Sequence, residues 1–319
     1  MSSHTRVLAV VGATGNQGGS LARAALADPE KRFAVRALTR NPQSAKAKEL
    51  AALGADVVQT DLDDIDSLKH AFAGAHAAYC VTNFWEHFSP QKELQQAANL
   101  AEAAQHAGVT HVVWSTLEDT RLRVPLDDDR MPTLMGNYKV PHFDAKGEAD
   151  AEFAGREVPT TYMLTSYYWD NLLRPDMGLV RGDDGGLLLV LPMADKLLPG
   201  IAMSDIGRCA YGIFCAGSDY IGKTVGIAGE HLGGNDMAAA LSEALGEAVH
   251  YYAIEASAFR ALGFPGADDI GNMFQYKAEF NREFVGARDV DLARKLNPGL
   301  LTFRDWLAQN ASNISRGAG

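Results

Sequence analysis

Two periodicities alternate along the first half of this chain. Short apolar runs have the unbroken character of strands buried on both faces, and each gives way to a segment whose apolar residues recur at helical spacing. The strand-like runs are Arg6–Val11, Phe33–Thr39, Asp56–Gln59, Ala77–Val81 and Val109–Ser115. The helical segments between them are Ser20–Leu26, Lys46–Leu53, Ser67–Ala73 and Glu93–His106, with Gly54 and Gly108 in place to end the second and fourth. Asp63, Asp64 and Asp66 suit the cap of the third helix. Strand and helix in alternation over short connections predict an α/β fold around a doubly wound parallel sheet.

The later chain is read more coarsely. Thr160–Thr165 is a sixth strand, and Leu187–Leu191 belongs to a small antiparallel piece. A helix runs from near Asp205 to about Ala216, followed by a short strand Thr224–Ala228, a helix Asn235–Leu245 capped by Asn235, and a strand Val249–Ile254. Helices follow at Ser257–Leu262, Asp269–Phe280 and Phe303–Gln309, the last capped by Thr302. Met273, Phe274, Tyr276 and Trp306 are assigned to a second core rather than to a ligand.

The turn after the first strand carries the first chemistry. Gly12, Gly15 and Gly18 fall at G-x-x-G-x-x-G spacing within GATGNQGG. The first glycine turns the chain, the second lets backbone N–H groups approach a pyrophosphate, and the third brings helix and strand close together. With a strand before it and a helix after it, the motif predicts a phosphate cradle over Gly12, Thr14, Gly15, Asn16, Gln17 and Gly18.

The end of the second strand decides which dinucleotide. An acid there binds the ribose 2′-OH of NAD, whereas an arginine accommodates the 2′-phosphate of NADP. At the required distance this chain reads Thr39-Arg40-Asn41-Pro42, with no acid, so NADP(H) is expected over NAD(H). The alternative is that Arg40 is only a solvated surface residue. Asp61, after the third strand, either accepts from the adenine amino group or serves the next helix. Thr82, Asn83 and Phe84 follow the fourth strand, at the carboxyl edge where open α/β sheets bind ligands.

Composition narrows the classes. With 319 residues and 47% apolar content, a full-sized core forms without staples. Cys80, Cys209 and Cys215 make neither a disulfide framework nor a metal set, and a reduced, cytoplasmic protein is expected. Met1–Arg6 has no apolar signal region, and no apolar run is long enough to span a membrane. The net charge of −11 argues against nucleic-acid and anionic-membrane partners. Residues 1–58 nonetheless hold eight Lys/Arg against four Asp/Glu, so the segment around the glycine turn is positive.

Tyr138-Lys139-Val140-Pro141-His142-Phe143-Asp144-Ala145-Lys146 opens another helix, with His142 and Lys146 on one face. In short-chain dehydrogenases this segment carries Tyr-x-x-x-Lys, in which the lysine binds the nicotinamide ribose and the tyrosine moves the proton. Here Lys146 keeps the lysine position and His142 stands at the tyrosine position. Together, GATGNQGG, LTRNP, VTNFWE, VPHFDAKGE, LTSYYWDNLL and GFPGADDIGNMF resemble the NmrA-like family of atypical short-chain dehydrogenase/reductases over nearly the whole chain. The likeness is greatest to the branch that includes the human NADPH redox sensor HSCARG.

The resemblance implies a Rossmann-type NADP(H)-binding domain over 1–165 with returning elements near 200–230, and a smaller α+β C-terminal domain over 166–199 and 231–319. It also implies a cofactor contact at Gly12–Gly18, with Arg40 and Asn41 at the 2′-phosphate and Asp61 and Leu62 beside the adenine. Thr82, Asn83 and Phe84 would line the middle of the cofactor, with Lys146 on the ribose. Tyr167, Tyr168, Trp169 and Asp170 would close over the nicotinamide end. The sensor's further lysine has no counterpart in Leu94-Gln95-Gln96-Ala97. Two functions follow: an NADP(H)-responsive sensor or regulator with a possible homodimer or protein partner, or an NADPH-dependent reductase of a small apolar carbonyl, enone or aromatic compound. In the reductase, Lys146, His142 or Tyr138 would donate the proton.

Overall fold

A computed structural model describes residues 6–182 and 185–317. Of the segment Met1–Arg6 read as free of an apolar signal, residues 1–5 lie outside the described residues. The chain divides into two units: Met1–Asp119 with Ala145–Leu164 and Met203–Val225, and Thr120–Asp144 with Thr165–Ala202 and Gly226–Gly319.

The first unit is built on a seven-stranded sheet. Its elements are β1 (Arg6–Val10), α1 (Asn16–Leu26), β2 (Phe33–Thr39), α2 (Ala45–Ala52), β3 (Asp56–Gln59), α3 (Ile65–Phe72), β4 (Ala77–Cys80), α4 (Pro90–His106), β5 (His111–Thr116), α5 (Pro141–Gly155), β6 (Thr160–Leu164) and α6 (Met203–Cys215). The first four residues of α5 fall in the second unit. The strand Thr224–Gly226 adds to β6, giving the spatial order Thr224–Gly226, β6, β5, β4, β1, β2, β3. The pairs from β6 to β3 are all parallel. β1 pairs with β2 on one side (Leu8 opposite Val35) and with β4 on the other (Leu8 opposite Ala77). The chain order therefore reverses at β1, and the crevice opens at the carboxyl ends of β1 and β4.

Apolar residues of α3, α4 and α5, among them Leu68, Phe72, Leu100, Ala104 and Phe153, form one core with Val112 and Trp114 of β5. α1 and α6 pack on each other, and the approach is close. A Cβ on Gly207 would lie 2.1 Å from the Leu21 backbone nitrogen and 2.3 Å from the Ser20 carbonyl carbon.

The predicted alternation is present, and its errors have physical causes. α1 begins at Asn16, four residues before Ser20, because Gly18 and Gly19, poor helix formers by propensity, sit inside it. Asp64 is the cap of α3, accepting from the Asp66 and Ser67 backbones. Asn235 is not a cap: the helix Gly234–Leu245 starts after Gly233, whose N–H is held by Asp236. Leu187–Val190 lies in a mixed sheet, antiparallel to Val180–Arg181 and parallel to Val249–Tyr252. A second three-stranded sheet joins Tyr167–Tyr168, Leu198–Ile201 and Glu230–Leu232. Thr302 caps the helix Phe303–Asn310, as predicted.

Gly207→Ala is expected to destabilise the protein by about 3 kcal/mol, at the severe end for an added methyl, because it meets backbone that cannot rotate away. Gly155→Ala, which meets nothing within 4 Å at the end of α5, is the control and should be neutral or slightly stabilising. Chemical denaturation of the two variants beside the parent checks the contrast.

Candidate functional site

The glycine turn is closed by backbone contact. Gly12 has φ +62, and a Cβ on Gly18 would sit 2.4 Å from the Val11 carbonyl oxygen and 2.6 Å from that of Gly12. Gly15 donates to the Gly12 carbonyl at 2.8 Å and stands at the cap of α1. No side chain caps this helix and its first turn holds no acid, so the positive end of the helix dipole is not neutralised locally. Thr14 Oγ1 meets Thr39 Oγ1 at 3.2 Å, which ties the turn to the end of β2. Gln17 turns its side chain inward: Oε1 accepts from Tyr79 and Ser115 hydroxyls on β4 and β5. That side chain anchors the turn to both strands. Asn16 is exposed on the first helical turn.

Beyond the ends of β2 and β3 lies a cavity of about 310 Å³ lined by Arg40, Gln59, Thr60, Asp61, Asp64 and Ser67. The structure thus brings together Arg40 and Asp61, which the sequence placed at adjacent parts of one ligand. Asp61 Oδ1 accepts from the Asp63 N–H at 3.0 Å, which closes a local turn, and the Leu62 carbonyl accepts from Asn99 Nδ2 at 2.8 Å, which ties it to α4. Asn41 Oδ1 accepts from the Gln43 N–H at 3.0 Å. Gln59, Thr60, Asp64 and Ser67 are lining residues that the sequence reading did not assign to a ligand. The first two close β3, and the others had been read only as capping and helical positions.

Past β4, Lys146 lies in a buried polar cluster with Thr82 and Glu93. Lys146 Nζ donates to Thr82 Oγ1 at 2.6 Å and to the Thr82 carbonyl at 3.1 Å, and lies 2.7 Å from Glu93 Oε1. Thr82 Oγ1 also donates to Glu93 Oε1. Glu93 is fully buried, and its Oε2 faces His87 Nε2 at 3.5 Å without a hydrogen bond. Since the Ser89 N–H donates to His87 Nδ1, a neutral His87 carries its proton on Nε2, toward Glu93. Sequence reasoning missed Glu93. An acid in the first turn of a helix reads as a dipole partner, and nothing local announces a lysine 53 positions later. Phe84 is buried among the rings of Trp85, His87 and Phe88, and Asn83 donates to Glu86.

One turn after Lys146, Asp150 accepts from Trp114 Nε1 at 2.9 Å and from Thr116 Oγ1 at 2.6 Å. Burial pushes its carboxyl up to about 6, against the opposing pull of these two donors and Lys146.

Tyr138 and His142 belong to the second unit, as do Tyr167 to Asp170. His142 Nδ1 donates to Asp269 Oδ1 at 2.6 Å and its backbone N–H to Oδ2 at 3.1 Å. The ring's partner is thus a carboxylate, which fixes the tautomer and makes Nε2 of the neutral ring an acceptor rather than a proton donor. Tyr138 is buried, with the Arg121 guanidinium 5.0 Å from its ring centre. Trp169 is 1% exposed, lies against Gly200 and the rings of Phe303 and Trp306, and belongs to the core of the second unit. Tyr167 is likewise in that core, while Tyr168 and Asp170 are half-buried. Phe274 and Trp306 are core residues, as read. Among the described residues no group of three or more His, Cys, Asp or Glu is placed to hold a metal ion, and no helix is long and apolar enough to cross a membrane.

Two predictions follow from this cluster. Lys146→Met leaves Glu93 as a buried, uncompensated carboxylate and should cost about 3–5 kcal/mol; adding Glu93→Gln should restore most of it. Strict additivity in a double-mutant denaturation cycle would show that the pair is not coupled. Asp150 has a native pKa above its unfolded value of 3.8, so its ionised form opposes folding above pH about 6 and the penalty fades on acidification toward pH 4. Asp150→Asn, which keeps an acceptor for Trp114 and Thr116, should stabilise by about 1–2 kcal/mol at pH 7.5 and by nothing at pH 4. Thermal melts across that range measure the difference.

With the geometry in view, a model of the NmrA-like family matches residues 4–307. The NmrA-like family domain-containing oxidoreductase ptmS of Penicillium ochrochloron is 26% identical over 344 residues, covering 97% of this chain and 99% of that protein. Solved structures of Nmra, a negative transcriptional regulator, in complex with NAD and with NADP are each 24% identical. They cover 96% of this chain and 95% of theirs at TM-scores of 0.79 and 0.77. The triphenylmethane reductase of Citrobacter sp. complexed with NADP(H) is 19% identical, covers 96% of this chain and 99% of its own, and has a TM-score of 0.73. At such identities the solved structures speak for the fold, while the family model spans nearly the whole chain: this protein belongs to the NmrA-like family.

Proposed function

We propose that the first unit binds NADP(H) and that the protein works as a sensor or regulator responsive to the NADPH/NADP⁺ state, in the redox-sensor branch of its family. The observation that carries the binding is the glycine turn packed without a Cβ against β1, with Arg40 and Asp61 on one cavity beyond β2 and β3. The uncapped start of α1 would hold the pyrophosphate through backbone N–H groups of Gly15 to Gly18. Arg40 and Asn41 would take the 2′-phosphate, Asp61 and Leu62 the adenine, and Thr82, Asn83, Phe84 and Lys146 the middle of the molecule. The Nmra complexes with NAD and NADP lend support by likeness of fold.

The sensor reading rests on Lys146. In a reductase the cofactor supplies a hydride, and the protein must supply a proton near it. Lys146 is paired with a buried carboxylate, so losing its proton would leave Glu93 uncompensated. Such a lysine anchors a ribose better than it serves as an acid. His142, whose Nδ1 donates to Asp269, is likewise not arranged as a neutral donor at Nε2. The oxidoreductase ptmS and the triphenylmethane reductase support the second reading, an NADPH-dependent reductase of a small apolar carbonyl, enone or aromatic compound.

Calorimetric titration with NADPH, NADP⁺ and NADH tests the proposal. NADPH should bind at least about tenfold more tightly than NADH, and Arg40→Glu should remove about 10–100-fold of NADPH affinity while sparing NADH. A sensor should also bind NADPH and NADP⁺ unequally, or change its association state with one of them. Equal binding of both without any change in sedimentation, together with NADPH oxidation on a panel of carbonyls, enones and quinones, would select the reductase.

A further inference from the structure

The guanidinium assigned above to the 2′-phosphate already has a carboxylate on it. Arg40 Nη1 lies 2.8 Å from Glu86 Oε2, and Nη2 donates to Glu86 Oε1 at 2.9 Å, a two-pronged pair. Asn83 Nδ2 adds a donor to Oε1 at 3.1 Å, so Glu86 joins two residues that the proposed function gives to different parts of the dinucleotide. Glu86 ends the 3₁₀ turn Phe84–Glu86, which follows β4. The turn is keyed by buried Phe84, and it carries Trp85, 38% exposed, edge-on to the rings of Phe84 at 5.6 Å and Phe88 at 5.7 Å.

We propose that Glu86 determines dinucleotide specificity by occupying, on Arg40, the place a 2′-phosphate must take, and that its displacement frees the aromatic turn bearing Trp85. The inference rests on the NADP(H) reading of the first unit. A phosphate dianion and a carboxylate on one guanidinium repel each other, so the 2′-phosphate has to exchange Glu86 off Arg40. A ribose 2′-hydroxyl carries no charge and leaves the pair intact. Glu86 therefore penalises NADP(H) and not NAD(H).

The surroundings sharpen the competition. Among the described residues lining its cavity Arg40 is the one cation, beside Asp61 and Asp64, and nearby Lys92 is already paired with Asp63 at 2.7 Å. Both partners are well exposed, with 66% of the Arg40 and 44% of the Glu86 side chain open to solvent, so the exchange is cheap enough to occur on binding. Local strain is also present beside the turn: Phe88 holds φ +52, a left-handed conformation uncommon for an aromatic residue.

The test is calorimetric titration of wild type, Glu86→Gln, Arg40→Met and the double variant with NADP⁺ and with NAD⁺. Trp85 emission is followed in parallel, as the difference between each protein and its Trp85→Phe counterpart. Glu86→Gln should tighten NADP⁺ by about three- to tenfold and leave NAD⁺ within about twofold. In the Arg40→Met background the same change should do nothing, and Trp85 emission should move with NADP⁺ but not with NAD⁺. NADP⁺ binding that depends on Arg40 yet ignores Glu86→Gln, or a Glu86→Gln effect equal for both dinucleotides, overturns this inference alone. No binding of either dinucleotide, or NADP⁺ binding indifferent to Arg40→Met, overturns the reading beneath it as well.

Discussion

The structure of the first unit depends on a contact in which one atom is missing. Where α1 leaves β1, the Gly18 Cα sits so close to the Val11 and Gly12 carbonyls that any side chain would occupy their space. That approach lets the helix start directly behind the strand, with its N–H groups facing the carboxyl edge of the sheet. It also places Thr14 beside Thr39 and Gln17 beside Tyr79 and Ser115, so the turn is pinned to β2, β4 and β5 at once. The same economy of atoms recurs on the outer side of α1, where Gly207 of α6 lies against Ser20 and Leu21. A helix held by backbone on two sides has little freedom to move, which suits a ligand recognised through backbone donors.

Polar chemistry is then arranged in two zones of different exposure. Around Arg40 and Glu86 the charges are open to solvent, their mutual attraction is weak, and partners can exchange. Around Lys146 and Glu93 the charges are buried and mutually dependent, and exchange would strand one of them. In the function proposed above, the exposed pair would select among ligands and the buried pair would hold a fixed position, and it is this contrast that favours the proposal of a dinucleotide binder over that of a proton donor.

Much of this was legible in the amino-acid sequence, and the gaps have physical causes. The alternating runs located the strands of the main sheet because parallel strands buried on both faces leave an unmistakable apolar signature. Gly12, Gly15 and Gly18 announced the turn by their spacing, and Arg40 its neighbour by distance from it. The start of α1 was misplaced because glycines selected for close packing look like helix breakers. Glu86 and Glu93 were passed over because each meets a partner far away in sequence, and an acid near a helix start has a bland local explanation. The burial of Trp169 against Gly200, Phe303 and Trp306 was not legible, because it depends on chain segments that no local pattern connects to it. The second unit, with its short strands and mixed pairings, was legible only in outline for the same reason.

The central claim is that the glycine turn and Arg40 serve one molecule, a dinucleotide with a phosphate on its adenosine ribose. A crystal structure of the protein grown with NADP⁺ tests it most directly. The account predicts a pyrophosphate within hydrogen-bond distance of the backbone N–H groups at the start of α1, and the 2′-phosphate on the Arg40 guanidinium. A dinucleotide bound elsewhere, or one whose 2′-phosphate points to solvent away from Arg40, would contradict it.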